Sequence, residues 1–574
     1  MRGRKNGCRN ARRGNIVVLA AFLMVIMMAM VALSVDTGYM YTMQTQLQRS
    51  VDAAALAAVQ DLLISQEAAE QRAVEYLCRN AVGSSMAVVP EAQLATELNK
   101  FKNVHGHDYA FQFGNWNPTT HSFTETTVNP GAIRVTMTYP NMPFFFGRVL
   151  GRDAFTIQAS STAMFQPRDI MVVLDYSASM NDDSTFPSIG KLSQSVVETS
   201  LLNCWNDIGP PVYGNLQFTP RWAVGQGVPE NTAQQIPHIS VEYRYSAVYV
   251  ASTYQLSAVK LQYTSGSTQT FSGLSSPTAT IQGNGSQISK IWVKSWNNAA
   301  KFGASGELFD FSTNAGFLNA LGLTNVLYPY PNGGSWDAYI NYCKAQNNGN
   351  ATAGYRYKFG GMSLVSYWLE NFPAYSQIPD LWKMRAEPEF ALKDSMAVFM
   401  DFISSVNTQD RVGLVIYDAA DGNAIVESPL TGDLNSITNI TTHRQAGHYH
   451  SYTNIGAGMQ LGRQHMEANA RPQACKLIVL MTDGLANWHN GRYDLSGAAA
   501  HIKSEAALAA ADKYKIMTIA VGINADTATM QSVADTTHGK FYNVPGGSDH
   551  QTMHNQLRAA FKGIADARPF LMVQ

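Results

Sequence analysis

A long apolar stretch near the N-terminus constrains this chain more than any other feature. Residues 16–35 carry no charged side chain, and as an α-helix these twenty residues would span about 30 Å, the thickness of a bilayer core. The stretch has no polar face, which argues against a buried helix of a soluble protein. Six basic residues precede it: Arg2, Arg4, Lys5, Arg9, Arg12 and Arg13. We predict a single transmembrane helix over residues 16–35.

The flanking charges predict the orientation of this helix. Because basic residues stay on the cytoplasmic side of a membrane, we expect residues 1–15 to be cytoplasmic and the bulk of the chain to lie outside the membrane. A cleaved secretory signal has a shorter apolar region and a small-residue cleavage site, and Ala32-Leu33-Ser34 matches such a site poorly. We therefore expect a retained signal anchor.

Helical periodicity continues beyond the apolar stretch and then gives way to strand-like runs. Residues 44–63 place apolar side chains on one face without a proline, so the helix is predicted to continue out of the membrane. Residues 66–78 are predicted as a second helix. The strand-like runs that follow are residues 109–116, 122–127, 132–139 and 154–165. Residues 36–166 are thus predicted as a long helix followed by a small antiparallel sheet.

Polar side chains follow an apolar run in the middle of the chain. The run 170–174 is typical of a strand buried on both faces, and Asp175, Ser177 and Ser179 come directly after it. Open α/β sheets bind ligands at this end of their strands. The alternative is that these residues form a turn and cap a helix, as Asp and Ser often do.

Two more oxygen-bearing residues, Thr453 and Asp483, occur far downstream, and Asp483 follows the apolar run 476–481. Three hydroxyls and two carboxylates around one point suit Mg²⁺, which prefers hard oxygen ligands and retains several waters. The sequence therefore predicts a site for Mg²⁺ or another divalent cation.

This pattern resembles the metal-ion-dependent adhesion site of von Willebrand factor type A domains. The resemblance rests on Asp-x-Ser-x-Ser after a strand, Thr453 within residues 452–458, and Asp483 after a second strand. It implies a doubly wound, mostly parallel α/β domain of Rossmann-like type. It also implies Ser177, Ser179 and Thr453 as hydroxyl ligands, Asp175 and Asp483 as direct or water-mediated ligands, and an acidic side chain of a protein partner that completes the coordination.

The domain is predicted to be discontinuous. Residues 167–180 carry its first strand, and the next matching helix begins near residue 390, so the domain is assigned to residues 167–180 and 389–574. The insertion, residues 181–388, would emerge at the metal face, so we expect that face not to be open. Residues 236–300 alternate apolar and polar positions between glycines, which predicts a β-sandwich-like module inside a β-rich insertion.

Aromatic residues of this module allow two interpretations, because aromatic faces stack sugars but aromatic side chains also fill cores. A glycan-binding surface protein is the alternative function; the other interpretation places about half of these residues in the core. They are Tyr243, Tyr245, Tyr249, Tyr254, Tyr263, Trp292 and Trp296.

The N-terminal region resembles the TadE/TadG-like proteins of the tight-adherence (Flp) pilus system. The matching segments are Arg12-Arg13-Gly14-Asn15, Val35-Asp36-Thr37-Gly38, Leu47-Gln48 and residues 51–57. The resemblance implies a pilin-like α+β module and a single-pass inner-membrane protein, with most of the chain periplasmic or extracellular. It further implies a role in pilus assembly or surface adhesion, with pilus components as partners. Processed pseudopilins carry Glu where this chain has Leu19, which favours permanent anchoring. A generic membrane stalk is the alternative.

Other chemistries are disfavoured by what the sequence lacks. Only 14% of residues are charged and the net charge is −1, so no charge excess favours nucleic acid. Phosphate-loop and nucleophile-elbow motifs are absent, and no histidine base is predicted beside Ser177 or Ser179, so we predict no enzymatic activity. Five scattered cysteines do not form a zinc motif, but Cys204 and Cys343 are a candidate disulfide.

Overall fold

Residues 15–83, 89, 91–406, 408–418, 424–472, 474–547 and 549–573 are described by the structure, which is a computed structural model. Apart from Asn15, the predicted cytoplasmic segment 1–15 lies outside the described residues. The chain divides into a first unit of residues 1–168, 402–410 and 566–574, and a second unit of residues 169–401 and 411–565. The chain therefore enters the second unit twice.

Helices precede strands in the first unit. Its elements before the second unit begins are α1 (Asn15–Asp61), α2 (Gln66–Arg79), α3 (Glu91–His105), β1 (Tyr109–Asn117), β2 (Ser122–Glu125), β3 (Ala132–Pro143) and β4 (Ala154–Phe165). The four strand-like runs of the sequence all form strands. Helix α3 was not predicted, because its apolar positions give only a weak helical pattern.

Helix α1 has two distinct halves within one unbroken helix. The large apolar side chains of residues 16–35 are mostly exposed, and among the described residues α1 is the one helix long and apolar enough to cross a membrane. Beyond this stretch α1 packs on its own unit, with Leu47 and Val51 fully buried in a core that includes Ile133 and Val135 of β3. The continuation of the helix past the apolar stretch matches the prediction.

The sheet of the first unit ends in a strand from the far end of the chain. Its order is β2-β1-β3-β4 followed by the C-terminal strand Phe570–Met572, and each neighbouring pair is antiparallel. Phe570 pairs with Phe165 and Leu571 with Met164. The predicted end of the second domain at residue 574 is therefore wrong. The edge of β4 is covered by a short strand whose three residues carry no distinctive sequence signal.

Strand β5 (Arg168–Asp175) begins at the last residue of this part of the first unit and leads into the second unit and its insertion. The elements of the insertion are α4 (Gln194–Asp207), β6 (Arg221–Trp222), β7 (Val224–Gln226), β8 (Ile239–Tyr243), β9 (Ala247–Ser252), β10 (Leu256–Tyr263), β11 (Thr268–Ser272), β12 (Thr278–Gln282), β13 (Ile288–Ser295), α5 (Ala299–Phe302), β14 (Glu307–Asp310), α6 (Asn314–Ala320), α7 (Trp336–Lys344), α8 (Gly349–Thr352), β15 (Lys358–Phe359) and α9 (Gly361–Asn371).

Helices and strands alternate after the insertion. They are α10 (Glu389–Ser404), β16 (Arg411–Tyr417), β17 (Ile425–Thr431), α11 (Leu434–Thr442), α12 (Ile455–Asn469), β18 (Cys475–Thr482), β19 (Trp488–His489), β20 (Arg492–Tyr493), α13 (Leu495–Ala511), β21 (Lys515–Val521), α14 (Thr527–Thr536), β22 (Phe541–Val544) and α15 (His550–Asp566).

The central sheet of the second unit has the order β17-β16-β5-β18-β21-β22. Strands β5 and β16 are parallel, as are β18, β21 and β22, while β17 is an antiparallel edge strand. Every residue of β5 is buried, so both faces of the sheet are covered. Met171 and Val173 share one core with residues of α12 and α13, and the rings of Phe399 in α10 and Phe561 in α15 lie 5.2 Å apart. The predicted doubly wound, mostly parallel α/β fold is confirmed.

A β-sandwich forms much of the insertion. Its two four-stranded antiparallel sheets have the orders β11-β10-β13-β14 and β12-β9-β8-β7. They share one core, with Val241 and Val250 from one sheet and Val259 and Val293 from the other. The insertion is β-rich, as predicted, although the sandwich extends from β7 to β14 and so exceeds the predicted range of 236–300.

The aromatic residues of the sandwich do not form one exposed face. Tyr243 and Tyr263 lie in the core, where the Tyr243 hydroxyl donates to the Ile288 carbonyl at 2.9 Å. Trp296 is 51% exposed and contacts Tyr254, with ring centroids 5.7 Å apart. The core interpretation therefore accounts for Tyr243 and Tyr263, while the other five aromatic residues are half-buried or exposed.

The candidate disulfide between Cys204 and Cys343 is wrong. Cys204 lies on α4 and Cys343 on α7, and both are fully buried with free thiols. Burial raises the pKa of each thiol, which disfavours the thiolate needed for disulfide exchange. The two cysteines instead fill the same hydrophobic core as small apolar side chains.

An ion-pair cluster holds the end of the central sheet opposite Asp175. Asp169 of β5 is fully buried and accepts two hydrogen bonds from the Arg411 guanidinium at 2.9 and 2.8 Å. The Arg471 guanidinium donates two more at 3.1 and 2.7 Å, and the Arg471 backbone N–H donates at 2.6 Å. Burial alone would raise the pKa of Asp169, but these bonds lower it below its usual value. One carboxylate thus joins β5, β16 and the segment between α12 and β18.

Candidate metal-binding site

The order of the strands brings the two predicted carboxylates to one edge of the central sheet. Asp175 is the last residue of β5, and Asp483 directly follows β18. Because β18 is the neighbour of β5, the two side chains emerge from adjacent strand ends. This edge is where the carboxyl ends of the parallel strands meet, the usual ligand position in open α/β sheets.

Asp175 fixes the start of the loop that carries the two serines. Its Oδ1 accepts from the backbone N–H of Ser177 at 2.9 Å, and its Oδ2 accepts from the Thr482 hydroxyl at 2.7 Å. Asp175 and Thr482 are both fully buried. The carboxylate therefore sets the turn after β5 and ties it to the end of β18.

The two serine hydroxyls connect this loop to the second carboxylate. The Ser177 and Ser179 Oγ atoms lie 3.0 Å apart, and Ser179 Oγ donates to Asp483 Oδ1 at 2.8 Å. Ser177 is fully buried. Four of the five predicted residues are therefore joined by direct hydrogen bonds or by the turn that Asp175 closes.

Thr453 lies in the loop that precedes α12. Its backbone N–H donates to Asn487 Oδ1 at 2.9 Å, and its carbonyl accepts from the Asn487 N–H at 3.0 Å. The carbonyl of Ser451 accepts from the Ala178 N–H at 3.4 Å, which places this loop beside the serine turn. In the described part of the chain the Thr453 hydroxyl makes no side-chain hydrogen bond, so its oxygen is available as a ligand.

Asp175 and Asp483 are two buried carboxylates that form no ion pair within the described part of the chain, so their charges are not offset there. Burial raises the pKa of Asp175. Burial, and then the neighbouring charge of Asp175, raises the pKa of Asp483 well above its usual value. A cation between the two carboxylates would offset both the burial and the repulsion.

The donor set fits Mg²⁺. It combines three hydroxyls with two carboxylates, all hard oxygen donors. No group of three or more His, Cys, Asp or Glu side chains suited to a metal occurs among the described residues, so a softer nitrogen or sulfur site is not formed there.

Family models match both halves of the chain. The model for Flp pilus-assembly TadE/G-like proteins matches residues 14–61, and the model for Tad-like Flp pilus-assembly proteins matches residues 52–163. The von Willebrand factor type A (VWA) domain model matches residues 387–556. The chain therefore carries a TadE/G-like pilus-assembly region followed by a VWA domain. The VWA match begins at residue 387, at the end of the insertion, so the strand that carries Asp175 lies outside it.

Solved structures give weaker comparisons. An aerotolerance-related membrane protein from Bacteroides fragilis is 17% identical, with 29% of this chain and 88% of that chain covered and a TM-score of 0.22. The pilus adhesin SpaC from Lactobacillus rhamnosus GG is 12% identical, with 32% and 29% covered and a TM-score of 0.25. A von Willebrand factor type A protein from Catenulispora acidiphila is 16% identical, with 30% and 37% covered and a TM-score of 0.24. The search of curated proteins returned no match.

Sequence reasoning missed two acidic residues at the VWA site. Asp182 and Asp183 belong to the 3₁₀ turn Ala178–Ser184, and with Ser179 and Asp483 they line a cavity of about 60 Å³. Burial raises the pKa of Asp183. The signal was present, because both acids follow the Asp-x-Ser-x-Ser motif within four residues, where the insertion was taken to begin.

The insertion contributes to the walls of this site. Lys191 and Pro388, from its two ends, line the same cavity. The Gln445 side-chain amide donates to the carbonyls of Pro373 at 2.6 Å and Ile378 at 3.0 Å. These bonds fasten the C-terminal part of the insertion to the loop that leads to Thr453. The site is therefore lined by both the VWA core and the insertion.

His448 lies where the insertion attaches to the loop that leads to Thr453, and its surroundings predict a response to acid. Its ring stacks on Tyr375 of the insertion at 4.9 Å, and its Nδ1 is buried with no hydrogen-bond partner among the described residues. Burial and then the Arg444 charge lower the pKa of His448 to about 4, against an opposing effect of Glu427. Because the folded pKa lies below the unfolded one, the folded state loses stability as pH falls from about 6.5 towards 4.

We expect this loss to reach about 3 kcal/mol between pH 6.5 and 4. The His448→Phe variant retains the stacking on Tyr375 but has no titrating ring, so its thermal midpoint should fall less over the same range. Thermal unfolding at several pH values checks this, with the exposed His107→Phe as a matched control. Equal acid sensitivity in the His448→Phe variant and the wild type would contradict the assignment.

Proposed function

We propose that this protein is anchored in the bacterial inner membrane by α1 and that its VWA domain binds a protein partner through Mg²⁺, in assembly of the Flp pilus or in surface attachment. The family matches support pilus assembly or adhesion. The observation that carries the metal-dependent part is the hydrogen-bonded set of Asp175, Ser177, Ser179 and Asp483 at one edge of the VWA sheet.

In this proposal the chain positions oxygen donors before a partner arrives. Asp175 and Asp483 hold the charge, while Ser177, Ser179 and Thr453 contribute hydroxyl oxygens. Mg²⁺, when bound, supplies the largest local positive charge, which an acidic side chain of the partner can engage. Asp182 and Asp183 add negative charge to the cavity beside Ser179 and Asp483. This charge favours binding of a cation and disfavours binding of an anion without a cation.

A non-enzymatic role agrees with the contacts of the site. The Ser177 and Ser179 hydroxyls contact each other, and Ser179 donates to Asp483, while no histidine of the described residues hydrogen-bonds either serine as a base would. Both family matches also describe assembly or adhesion domains. Binding is therefore proposed as the function of this edge of the sheet.

Membrane topology follows from α1. Its exposed apolar half suits a bilayer, and the six basic residues that precede it favour a cytoplasmic N-terminus. The rest of the chain would then lie in the periplasm or outside the cell. Accessibility of a C-terminal tag to protease in spheroplasts, but not of an N-terminal tag, tests this orientation.

Metal removal tests the binding function directly. Full-length protein in detergent should retain specific envelope proteins in the presence of Mg²⁺, lose them on chelation and recover them when Mg²⁺ is added back. The Ser177→Ala variant should lose the same proteins, while Ser286→Ala, an exposed serine of the insertion, should retain them. Circular dichroism should show unchanged folding in each case. Retention of the partners by chelated protein, or by Ser177→Ala, would contradict the mechanism.

Glycan recognition by the β-sandwich gains no support. Tyr243 and Tyr263 lie in its core, and the exposed Trp296 packs on the half-buried Tyr254. We therefore propose protein binding alone.

A further inference from the structure

The connection between β3 and β4 exposes large apolar side chains that the first unit does not use. We name residues 144–152 the aromatic loop. Phe145 is 62% exposed, Phe146 44% and Val149 87%, whereas Phe144 packs against Phe155 at 4.9 Å. A surface loop with three such side chains leaves an apolar patch in water, which soluble surfaces generally avoid unless the patch binds something.

Asp36 attaches the aromatic loop to α1. Its carboxylate is 4% exposed and accepts from three consecutive backbone N–H groups of the loop, those of Phe145 at 2.9 Å, Phe146 at 3.2 Å and Gly147 at 2.7 Å. Asp36 directly follows Val35, the last residue of the apolar stretch. The loop is therefore held at the level where the proposed membrane span ends.

Aromatic side chains of α1 extend the same patch. The Tyr39 and Phe145 rings lie 4.9 Å apart, and Tyr41 is 74% exposed. At 1.5 Å per residue, both tyrosines lie about 5–8 Å beyond Asp36 along the helix axis. Tyrosine and other aromatic residues concentrate at this depth, where the hydrocarbon core of a membrane meets the headgroups.

The charges on the loop suit a lipid surface. Arg148 and Arg152 are exposed, and in the described part of the chain neither guanidinium forms an ion pair. Arginine side chains near a membrane boundary extend towards lipid phosphates while their stems cover apolar surface. Exposed apolar rings beside unpaired guanidinium groups are the arrangement that an interfacial segment requires.

We propose that the aromatic loop inserts into the leaflet from which α1 emerges, with Phe145, Phe146 and Val149 at the acyl boundary and Arg148 and Arg152 on lipid phosphates. This inference rests on the proposed membrane anchoring of α1. The patch is continuous with the exposed apolar surface of residues 16–35, which makes the bilayer its occupant. The first unit then contacts the membrane at two places, the helix and the loop.

A fluorescent probe at Val149 tests the depth of the loop. Full-length Val149→Cys protein is labelled with an environment-sensitive dye and reconstituted into vesicles of phosphatidylcholine and phosphatidylglycerol. Val128→Cys is the matched control, since Val128 is a 74% exposed valine on another loop of the same unit. Labelled wild type gives the background from native cysteines. The Val149 probe should emit at shorter wavelength and be quenched by lipids brominated in their acyl chains, and the Val128 probe should not.

Further variants test insertion of the aromatic loop separately from membrane anchoring by α1. Asp36→Ala should release the loop and reduce quenching of the Val149 probe while the protein still floats with vesicles. Arg148→Gln with Arg152→Gln should reduce the extra quenching that phosphatidylglycerol gives over phosphatidylcholine alone. Flotation without quenching at residue 149, or a blue shift that brominated lipid does not quench, overturns loop insertion and points to a protein neighbour. Loss of flotation in the wild type overturns the anchor and the loop together.

Discussion

Replacing Asp175 with alanine is expected to abolish Mg²⁺ binding. Removing outer partners of a metal ligand already costs 10–100-fold in affinity, so loss of a carboxylate of the site should cost at least about 100-fold. Isothermal titration of the full chain in detergent with Mg²⁺ alone measures this. Asp483→Ala should have a similar effect, since Asp483 is the second carboxylate at the same edge of the sheet.

The design must separate lost metal binding from lost folding, because Asp175 also fixes the turn after β5. Asp175→Asn provides that separation. Its Oδ1 still accepts from the Ser177 N–H, and its amide can donate to the Thr482 hydroxyl, so the turn keeps its hydrogen bonds without the charge. Asp535→Ala, an exposed acid on α14, serves as the control. Wild-type Mg²⁺ affinity in a folded Asp175→Asn variant would rule out the proposed metal site.

Replacing Asp169 with alanine is expected to lower the free energy of unfolding of the second unit by about 3–5 kcal/mol, because it leaves two guanidinium groups without their buried partner. Urea denaturation followed by tryptophan fluorescence measures the change. The lowered pKa of Asp169 adds a second signature. Its stabilisation is present at neutral pH and is lost as pH falls through that pKa, so the gap between variant and wild type should narrow in strong acid.

A surface ion pair supplies the comparison for Asp169. Asp512 lies near Arg463 at 3.6 Å and its side chain is 38% exposed, so Asp512→Ala should cost no more than about 1 kcal/mol. If Asp169→Ala lowered the free energy of unfolding by an equally small amount, this would show that Arg411 and Arg471 find other partners. Its effect on metal affinity should be small, since Asp169 lies at the other end of β5.

Elements with a strong local sequence pattern could be predicted from the sequence alone. The buried run 170–174 predicted a central strand, and the continuous helical periodicity beyond residue 35 predicted the length of α1. Asp175, Ser177, Ser179, Thr453 and Asp483 could be selected because three short segments match one known arrangement. The first of these segments lies about 270 residues before Thr453 and about 300 before Asp483, but it could still be found because β5 itself is strongly apolar.

Features that depend on distant pairing could not be predicted in the same way. The C-terminal strand has three residues, and its assignment depends on the free edge of β4, about 400 residues earlier. Helices α7 and α9 of the insertion were not predicted, and their Tyr339 and Trp368 fill a core. Cys204 and Cys343 were paired by elimination alone, and their burial as thiols depends on packing that sequence spacing does not encode.

The return of the chain end to the first sheet has a mechanical consequence. Polypeptide crosses between the two units after residues 168, 401, 410 and 565, so four covalent connections join them instead of one linker. Tension applied through a bound partner would be divided among these crossings. Rupture at the C-terminal strand would release only one of them, and the remaining three would still transmit the load to the anchor helix.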